Sequence, residues 1–600
     1  MNKSGNKLKA GFAIALAIYI FLCQSIPLVW KTPFYGDWIN HVWMVEYYAN
    51  HLRENGNFPG TFDAEQAFGN PSPLYYGFLL YPLISLIALI TGADLAVRLF
   101  AATMLLAPVI SITFLLRKIL SETALSILLA CVLSASVYQL TNLYFRSALT
   151  EFFAAQFLLL GLSLLFFGLI IKRAQGAFIS CGAAFVVLAC GTHPITAYTF
   201  SIFVVPILIG SFITLRKLFD RKALISILLC CAAALMVLTP WLLIVLQTQS
   251  DLQISAFARI RYFPESIDSL VARLGFFYYD PRIAKAGGIG YTSTPFLDAP
   301  FAIPPTIILV VMLAHGLSRR RRQFLLIAIP TILVMLSLAY ATHEPDEADG
   351  NFAFALLQPI QFVYRLAGTW SIAVATATLV LIVAYSRSNE RQPVTTPFMR
   401  ITVTAAALLC AFSVSQKLYV ANIEFQRFPQ ETMFDPKFEK AVHPLFMGYA
   451  RYLAEIRRSN RYPEMYYAML DYSIPGDLQK TIPSALKTSV LTVSKWGPQD
   501  AISSDVAMVI QTNILPSPTT RVTIDGRPAD NFTLSSGGTL DFRVGPGLHV
   551  LSVEKIGRRF AASQFSIFAM LAWLFISCVY LLVENATIRQ KGRSLYTQVG

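Results

Sequence analysis

Asp37 and His41, in "FYGDWINHVW" (34–43), lie four residues apart where the chain leaves its first long apolar run. In a helix that spacing puts both on one face. A carboxylate there could take a proton from a hydroxyl, and an imidazole beside it could tune that carboxylate or hold an anion. Other polar side chains gather at similar places, beside the ends of apolar runs: Arg98, Arg146, Glu151, His193, and Gln361, Tyr364 and Arg365. One chemistry uses such a layer. A lipid keeps its tail in hydrocarbon and its phosphate at the interface, where an arginine fork can hold it. A sugar on that phosphate would project into the layer, and one base could deprotonate an attacking hydroxyl. Phosphate is a good leaving group, so a second acid is not essential.

Each residue also has a plainer reading. Asp37 follows Gly36 and precedes a helical run, a favoured capping position. His41 suits an interfacial hydrogen bond. Arg365 suits a boundary arginine whose head reaches water. Arg146 and Glu151 could pair with each other. His193, before Pro194, fits a tight turn.

The elements that must position these residues are membrane spans. The chain has 600 residues, 55% hydrophobic and only 14% charged, and its apolar runs recur at about the 20 residues a bilayer requires. We expect about 12 spans, near 10–30, 97–116, 123–141, 151–171, 176–192, 195–214, 223–247, 302–318, 323–341, 366–386, 400–417 and 562–583. The first is preceded by Lys3, Lys7 and Lys9 and followed by no small-residue cleavage site, so it reads as a retained span. The segment 73–91 is also apolar. Reading it as an interfacial or re-entrant helix keeps Arg117, Lys118, Lys172, Arg173, Arg216, Lys217 and Arg319 to Arg322 on the inner side, with both termini cytoplasmic.

This basic inner face accounts for the net charge of +14 without a nucleic-acid partner. All eight cysteines fall inside apolar runs, which suits packing and implies no disulfide framework. In this parse no span carries an ionisable residue near its midpoint, which counts against an ion-coupled transporter.

Three outer regions remain: a first outer loop at 31–96, a second at 248–301, and a block at 418–561 before the final span and tail, 562–600. The block opens with an amphipathic helical pattern in "RYLAEIRRSNRYPEMYYAML". It continues with alternating strands in "VAMVIQTNIL", "TRVTIDGRPA" and "LDFRVGPGLHVLSVEK", with Asp525-Gly526 as a hairpin turn. We expect a soluble periplasmic domain, a small β-sandwich in its second half. The segment "THEPDEADG" (342–350) offers carboxylates and a histidine, but its spacing matches no defined metal site. Asp280, in "YYDPR" (278–282), and Tyr76 could line a substrate path.

Five segments carry a resemblance: "DWINHVWMVEYYANHL" (37–52), "FGNPSPLYYGFLLYPL" (68–83), "ALTEFFA" (148–154), "THPITA" (192–197) and "IQFVYRLAG" (360–368). In this order they resemble the GT-C superfamily of membrane glycosyltransferases. More narrowly, they resemble the bacterial membrane proteins called 6-pyruvoyl-tetrahydropterin synthase-related. The resemblance implies a polytopic α-helical fold, a catalytic acid in the first outer loop and a polyprenyl-phosphate-linked sugar donor. Carried onto this chain, Asp37 becomes the general base of an inverting transfer. Many GT-C members place a second acid beside the first; here the neighbour is Trp38, which argues against a metal-dependent mechanism.

The expectation is therefore an inner-membrane, GT-C-like glycosyltransferase, its transmembrane domain covering 1–417. It would move a sugar to a glycan, lipid or protein acceptor on the periplasmic side. Asp37, His41 and Glu151 would be catalytic. Arg365, His193, Arg98 and Arg146 would hold the donor phosphate, Tyr364, Gln361, Tyr76 and Asp280 would contact substrate, and no cofactor is expected. The alternatives are a non-catalytic lipid-linked-saccharide translocator or export accessory, and a structural partner acting through 418–561.

Overall fold

A computed structural model describes residues 3–30, 38–62, 72–145, 147–171, 174–251, 253–254, 302–319, 321–343, 365–386, 396–427, 472–473, 487–491, 493, 497–514, 519–529, 532–534, 539–554 and 558–597. The protein is mostly helical. Helix α1 (Lys3–Ser25) continues through a 3-10 turn, Ile26–Val29, started by Pro27. Then come α2 (Trp38–Asn55), α3 (Leu80–Thr91), α4 (Ala93–Leu120) and α5 (Thr123–Ser134). A long hairpin follows, α6 (Leu149–Ile170) and α7 (Gln175–Thr192). The rest of the bundle is α8 (Val205–Leu215), α9 (Arg221–Asp251), α10 (Ile303–Arg319), α11 (Arg321–His343), α12 (Leu366–Ser386), α13 (Pro397–Arg427) and α14 (Arg558–Thr597).

All twelve expected spans fall on helix, but not all on a full crossing. Among the described residues nine helices are long and apolar enough to cross a membrane, or ten if one bent pair counts as a single span. That pair is the expected span 123–141: α5 stops at Ser134 and a second piece, Val137–Tyr144, leaves it at 54°. The expected spans at 302–318 and 323–341 carry shorter apolar stretches, Ile303–Gly316 and Leu325–Leu336. Segment 73–91 forms the single turn Ser72–Tyr75 and then the 12-residue α3. A helix of that length spans about 18 Å, too little to cross about 30 Å of hydrocarbon.

Backbone contact between α6 and α7 is unusually close. A Cβ on Gly161 would lie 2.8 Å from the Gly182 carbonyl oxygen, and one on Gly182 would lie 2.7 Å from the Gly161 carbonyl oxygen. Small residues allow such an approach between membrane helices. The obstacle is backbone, so the helices must separate if either glycine gains a side chain. We expect Gly182→Val to destabilise the detergent-solubilised protein by about 1–3 kcal/mol. Gly11→Ala, whose Cβ meets nothing within 4 Å, is the neutral control. A thermal unfolding midpoint for Gly182→Val equal to wild type would show that the hairpin tolerates separation.

In the block before the last helix, the expected strands are present, and the Asp525-Gly526 turn has both φ angles positive, at 52° and 75°. That is the conformation a two-residue hairpin requires. One sheet orders Lys487–Leu491, Met508–Thr512, Leu540–Val544 and Phe532–Leu534, its first pair parallel. The other orders Gly497–Pro498, Leu551–Glu554, Arg521–Ile524 and Arg527–Pro528. Met508, Ile510 and Phe542 of the first share one apolar core with Leu551 and Val553 of the second. The expected boundary at 418 is displaced, since α13 runs on to Arg427. The amphipathic segment 451–470 lies outside the described residues.

Asp541 breaks the alternation of its strand. It opposes Gln511 and Thr533, away from the core, yet is fully buried. Burial pushes its pKa up to about 6, with the Gln511 amide drawing it part-way back. The folded state therefore holds the proton more tightly than the unfolded chain, whose aspartate titrates near 3.9. Stability from this residue is complete below about pH 4 and is lost as pH rises through about 6. Asp541→Asn is expected to remove that loss, a gain of about 3 kcal/mol at pH 8. Amide exchange of strand Leu540–Val544 in the full chain, at pH 5 and pH 8 and corrected for intrinsic rates, reads it. Equal protection of wild type at both pH values would contradict the expectation.

Candidate functional site

Helix α2 begins at Trp38, the residue that follows Asp37 in the sequence; Asp37 itself lies outside the described residues. Trp38 is held firmly. Its indole N–H donates to Asp94 Oδ1 at 3.1 Å, and the Arg98 guanidinium carbon lies 5.4 Å from the centre of its ring. Arg98 Nε donates to Asp94 Oδ2 at 2.6 Å, and its Nη1 donates to the Leu28 and Trp30 carbonyls, each at 2.9 Å. The sequence suggests Arg98 as a phosphate ligand; the geometry gives it other work. It fastens the end of the first span to α4 and backs the tryptophan that follows Asp37. Asp94 is the residue that sequence reasoning missed here, and its i,i+4 spacing to Arg98 was the available signal.

One helical turn further, His41 is buried at 1% exposure. Its Nδ1 lies 2.6 Å from the Tyr81 hydroxyl on α3, and its Nε2 accepts the Leu149 backbone N–H at 3.3 Å. Tyr76 stacks on the ring with centroids 5.7 Å apart. Burial lowers the imidazole pKa to about 3, against a smaller upward pull from the Ser147 backbone. Both ring nitrogens are thus engaged within the protein, and burial favours the neutral form of the ring.

Leu149 opens α6, and two residues on stands Glu151, 3% exposed. Its Oε1 accepts the Tyr138 hydroxyl at 2.6 Å, and its Oε2 lies 3.5 Å from Arg365 Nε. Three separate parts of the chain meet there. Tyr138 comes from the second piece of the broken span and Arg365 from the start of α12. The break creates the opportunity: a helix interrupted at membrane depth places polar groups where an unbroken one would not. The piece continues into a π-helical turn, Thr141–Phe145, a geometry frequent at functional sites. Gly368 lets it pack close, since a Cβ there would sit 3.1 Å from the Tyr138 ring. The signal for Tyr138 lay in "YQLTN" (138–142), a polar run inside an expected span.

The contact between Gly161 and Gly182 also sets the height of His193. Counting ten residues from each toward the shared end brings Glu151 level with Thr192. His193 Nδ1 accepts the Thr196 backbone N–H at 3.2 Å and lies 2.7 Å from the Thr196 hydroxyl, capping the short helix Pro194–Thr199. That helix is tied to α12 by the Thr369 hydroxyl, 2.9 Å from that of Thr199. The Leu79 N–H donates to the Gly191 carbonyl at 3.1 Å, which brings the loop carrying Tyr76 to the same place. Lys417, on α13, is a further buried cation that sequence reasoning passed over.

Asp37, Arg146, Asp280, Gln361 and Tyr364 lie outside the described residues, as do residues 344–350 of the acidic segment. The structure thus joins Glu151 to Arg365, brings His41 to the turn that leads into Glu151, and ties Arg98 to Asp94 beside Trp38. Among the described residues no three His, Cys, Asp or Glu side chains come together as metal ligands. Among the described residues, Glu151 itself faces a guanidinium and a phenol.

No protein family matches the chain, and no curated protein matches it. Among solved structures it is similar to arabinofuranosyltransferase AftD from Mycobacteria, with 16% identity and a TM-score of 0.35. It is also similar to the oligosaccharyltransferase of Archaeoglobus fulgidus in the apo form, with 13% identity and a TM-score of 0.35. The third is AglB of the same organism in complex with an inhibitory peptide and a dolichol-phosphate, with 13% identity and a TM-score of 0.39. These matches cover 70%, 82% and 82% of this chain. The chain spans only 27% of the first protein's length and 63% of each of the other two.

Proposed function

We propose that this protein is a membrane glycosyltransferase that moves a sugar from a polyprenyl-phosphate donor to a hydroxyl acceptor on the periplasmic side. The observation that carries the reading is the buried Arg365–Glu151–Tyr138 cluster, at the end of the bundle where α2 begins. A guanidinium near hydrocarbon, oriented by a carboxylate and a phenol, suits a lipid phosphate. The acceptor oxygen attacks the anomeric carbon and the carbon–oxygen bond to phosphate breaks. The polyprenyl phosphate leaves with the electron pair, the acceptor proton passes to the Asp37 carboxylate, and the configuration inverts. Arg365 steadies the charge growing on the leaving phosphate, with Glu151 and Tyr138 holding the guanidinium in place. His193, as the cap of its helix, shapes the wall beside them.

The test uses the full chain in nanodiscs with polyprenyl monophosphates carrying radiolabelled hexoses or pentoses, and glycan, lipid and peptide acceptors. Release of free polyprenyl phosphate with label in the acceptor supports the reading. Label that only changes leaflet, with the donor intact, identifies a translocator instead.

A further inference from the structure

We infer that His41 is a positioning residue, a strut that locks helix α2 to the turn that sets Glu151. The turn is a strained one. Ser147 has φ 52°, the left-handed region that non-glycine residues avoid. Ala148 follows at φ −74°, ψ 66°, and the Leu149 N–H donates to the Ser147 carbonyl at 2.8 Å. That is an inverse γ-turn. Together these three residues lead into the axis of α6, and Glu151 stands in the first turn of that axis. A left-handed serine persists only where its surroundings over-determine it. His41 is part of that surrounding, with Nε2 on the Leu149 N–H. Its other nitrogen, bonded to Tyr81, anchors the ring to α3, and Tyr76 covers the ring face.

The ring therefore joins three pieces of chain through its two nitrogens and one face. Among the described residues, the titratable groups facing it are the Tyr76 and Tyr81 phenols, neither charged near neutral pH. Protonation would set two N–H donors, that of Nε2 and that of Leu149, against each other in a buried site, which is why a strut here has to stay neutral. If α2 slid or rotated relative to α6, Asp37 and the Glu151–Arg365 pair would lose their common frame. A displacement of about 1 Å between reacting groups can slow a reaction about 10²-fold.

The kinetic half of this inference rests on the transferase reading; the structural half does not. In the full chain in nanodiscs we compare His41→Phe, which fills the space without hydrogen bonding, with His41→Gln, whose amide oxygen reaches about as far as Nε2. Tyr81→Phe removes only the second bond. Expected for His41→Phe is a kcat for sugar release lower by about 10–100-fold, with KM within about threefold. His41→Gln is expected to recover most of it, Tyr81→Phe to fall in between, and the acid limb of the pH profile to stay in place in all three. Amide exchange across 147–151 is expected to quicken in His41→Phe and to slow again in His41→Gln, as opening of that turn becomes easier and then harder. The wild-type imidazole is expected to show no titration between pH 5 and pH 8 by NMR.

An acid limb that disappears in His41→Gln would make the ring a proton carrier and overturn the inference. So would unchanged exchange at 147–151 in His41→Phe, or an imidazole that titrates near 6.5. If wild type releases no sugar while the exchange and NMR results hold, the transferase reading fails and the strut stands.

Discussion

Asp37→Asn is expected to lower kcat for sugar release by about 10²–10⁴-fold, the usual contribution of one well-placed general base. Asparagine is the right probe because Asp37 immediately precedes α2 in the sequence, where a capping role is the alternative. Asparagine caps a helix about as well as aspartate, so the substitution leaves a capping role intact and removes only the base. A merely structural aspartate predicts a variant with wild-type turnover. A base predicts one that folds, binds donor with KM within a few-fold, and does not turn over. Trp38, wedged between Asp94 and Arg98, keeps the start of α2 in place in either case, so a collapse of the loop does not confuse the comparison. The measurement is single-turnover release of labelled sugar alongside a thermal unfolding curve. Normal turnover in Asp37→Asn would remove Asp37 from the chemistry.

Glu151→Ala is expected to destabilise the protein by about 3–5 kcal/mol, because it strips the carboxylate from a largely buried guanidinium and from the Tyr138 hydroxyl. Glu151→Gln, which keeps an acceptor for Tyr138, should cost less. The informative comparison is the double variant Glu151→Leu with Arg365→Met. Replacing both members of a buried ion pair by apolar groups is often neutral or stabilising. The double variant should therefore regain stability while sugar release stays lost, since nothing remains to hold the donor phosphate. If it regains both stability and activity, the pair is structural and Arg365 is not a donor ligand. Unfolding midpoints in nanodiscs with and without added polyprenyl phosphate separate the outcomes. The lipid should raise the midpoint of wild type and leave that of the double variant unchanged.

Much of this was legible before any coordinates. An apolar run of about 20 residues announces a helix because the bilayer leaves the backbone no other partner. Every expected span accordingly fell on helix, and 73–91 was too short to cross, as its tyrosines and prolines suggested. The Asp525-Gly526 hairpin was equally local, since its backbone angles follow from the residues themselves. Helix ends at one side of a bundle share a height, and Glu151 and Arg365, both expected at such ends, come within 3.5 Å of each other.

What the sequence could not assign was partnership. It offered Arg365 first, and Arg98 and Arg146 after it, as cations for a phosphate. Asp94 claims Arg98, while Glu151 faces Arg365, more than two hundred residues away. It offered His41 as a reactive neighbour of Asp37, but α3 and the turn at Ser147 close over the ring and keep it neutral. It read 123–141 as one straight span, and the break at Ser134 that delivers Tyr138 to Glu151 went unseen. The physical reason is the same in each case. Propensity and hydropathy act over a few residues and fix what an element is. A charge's partner, a ring's protonation and the use of a helix break depend on which elements pack around them, and that is decided only when the whole bundle closes.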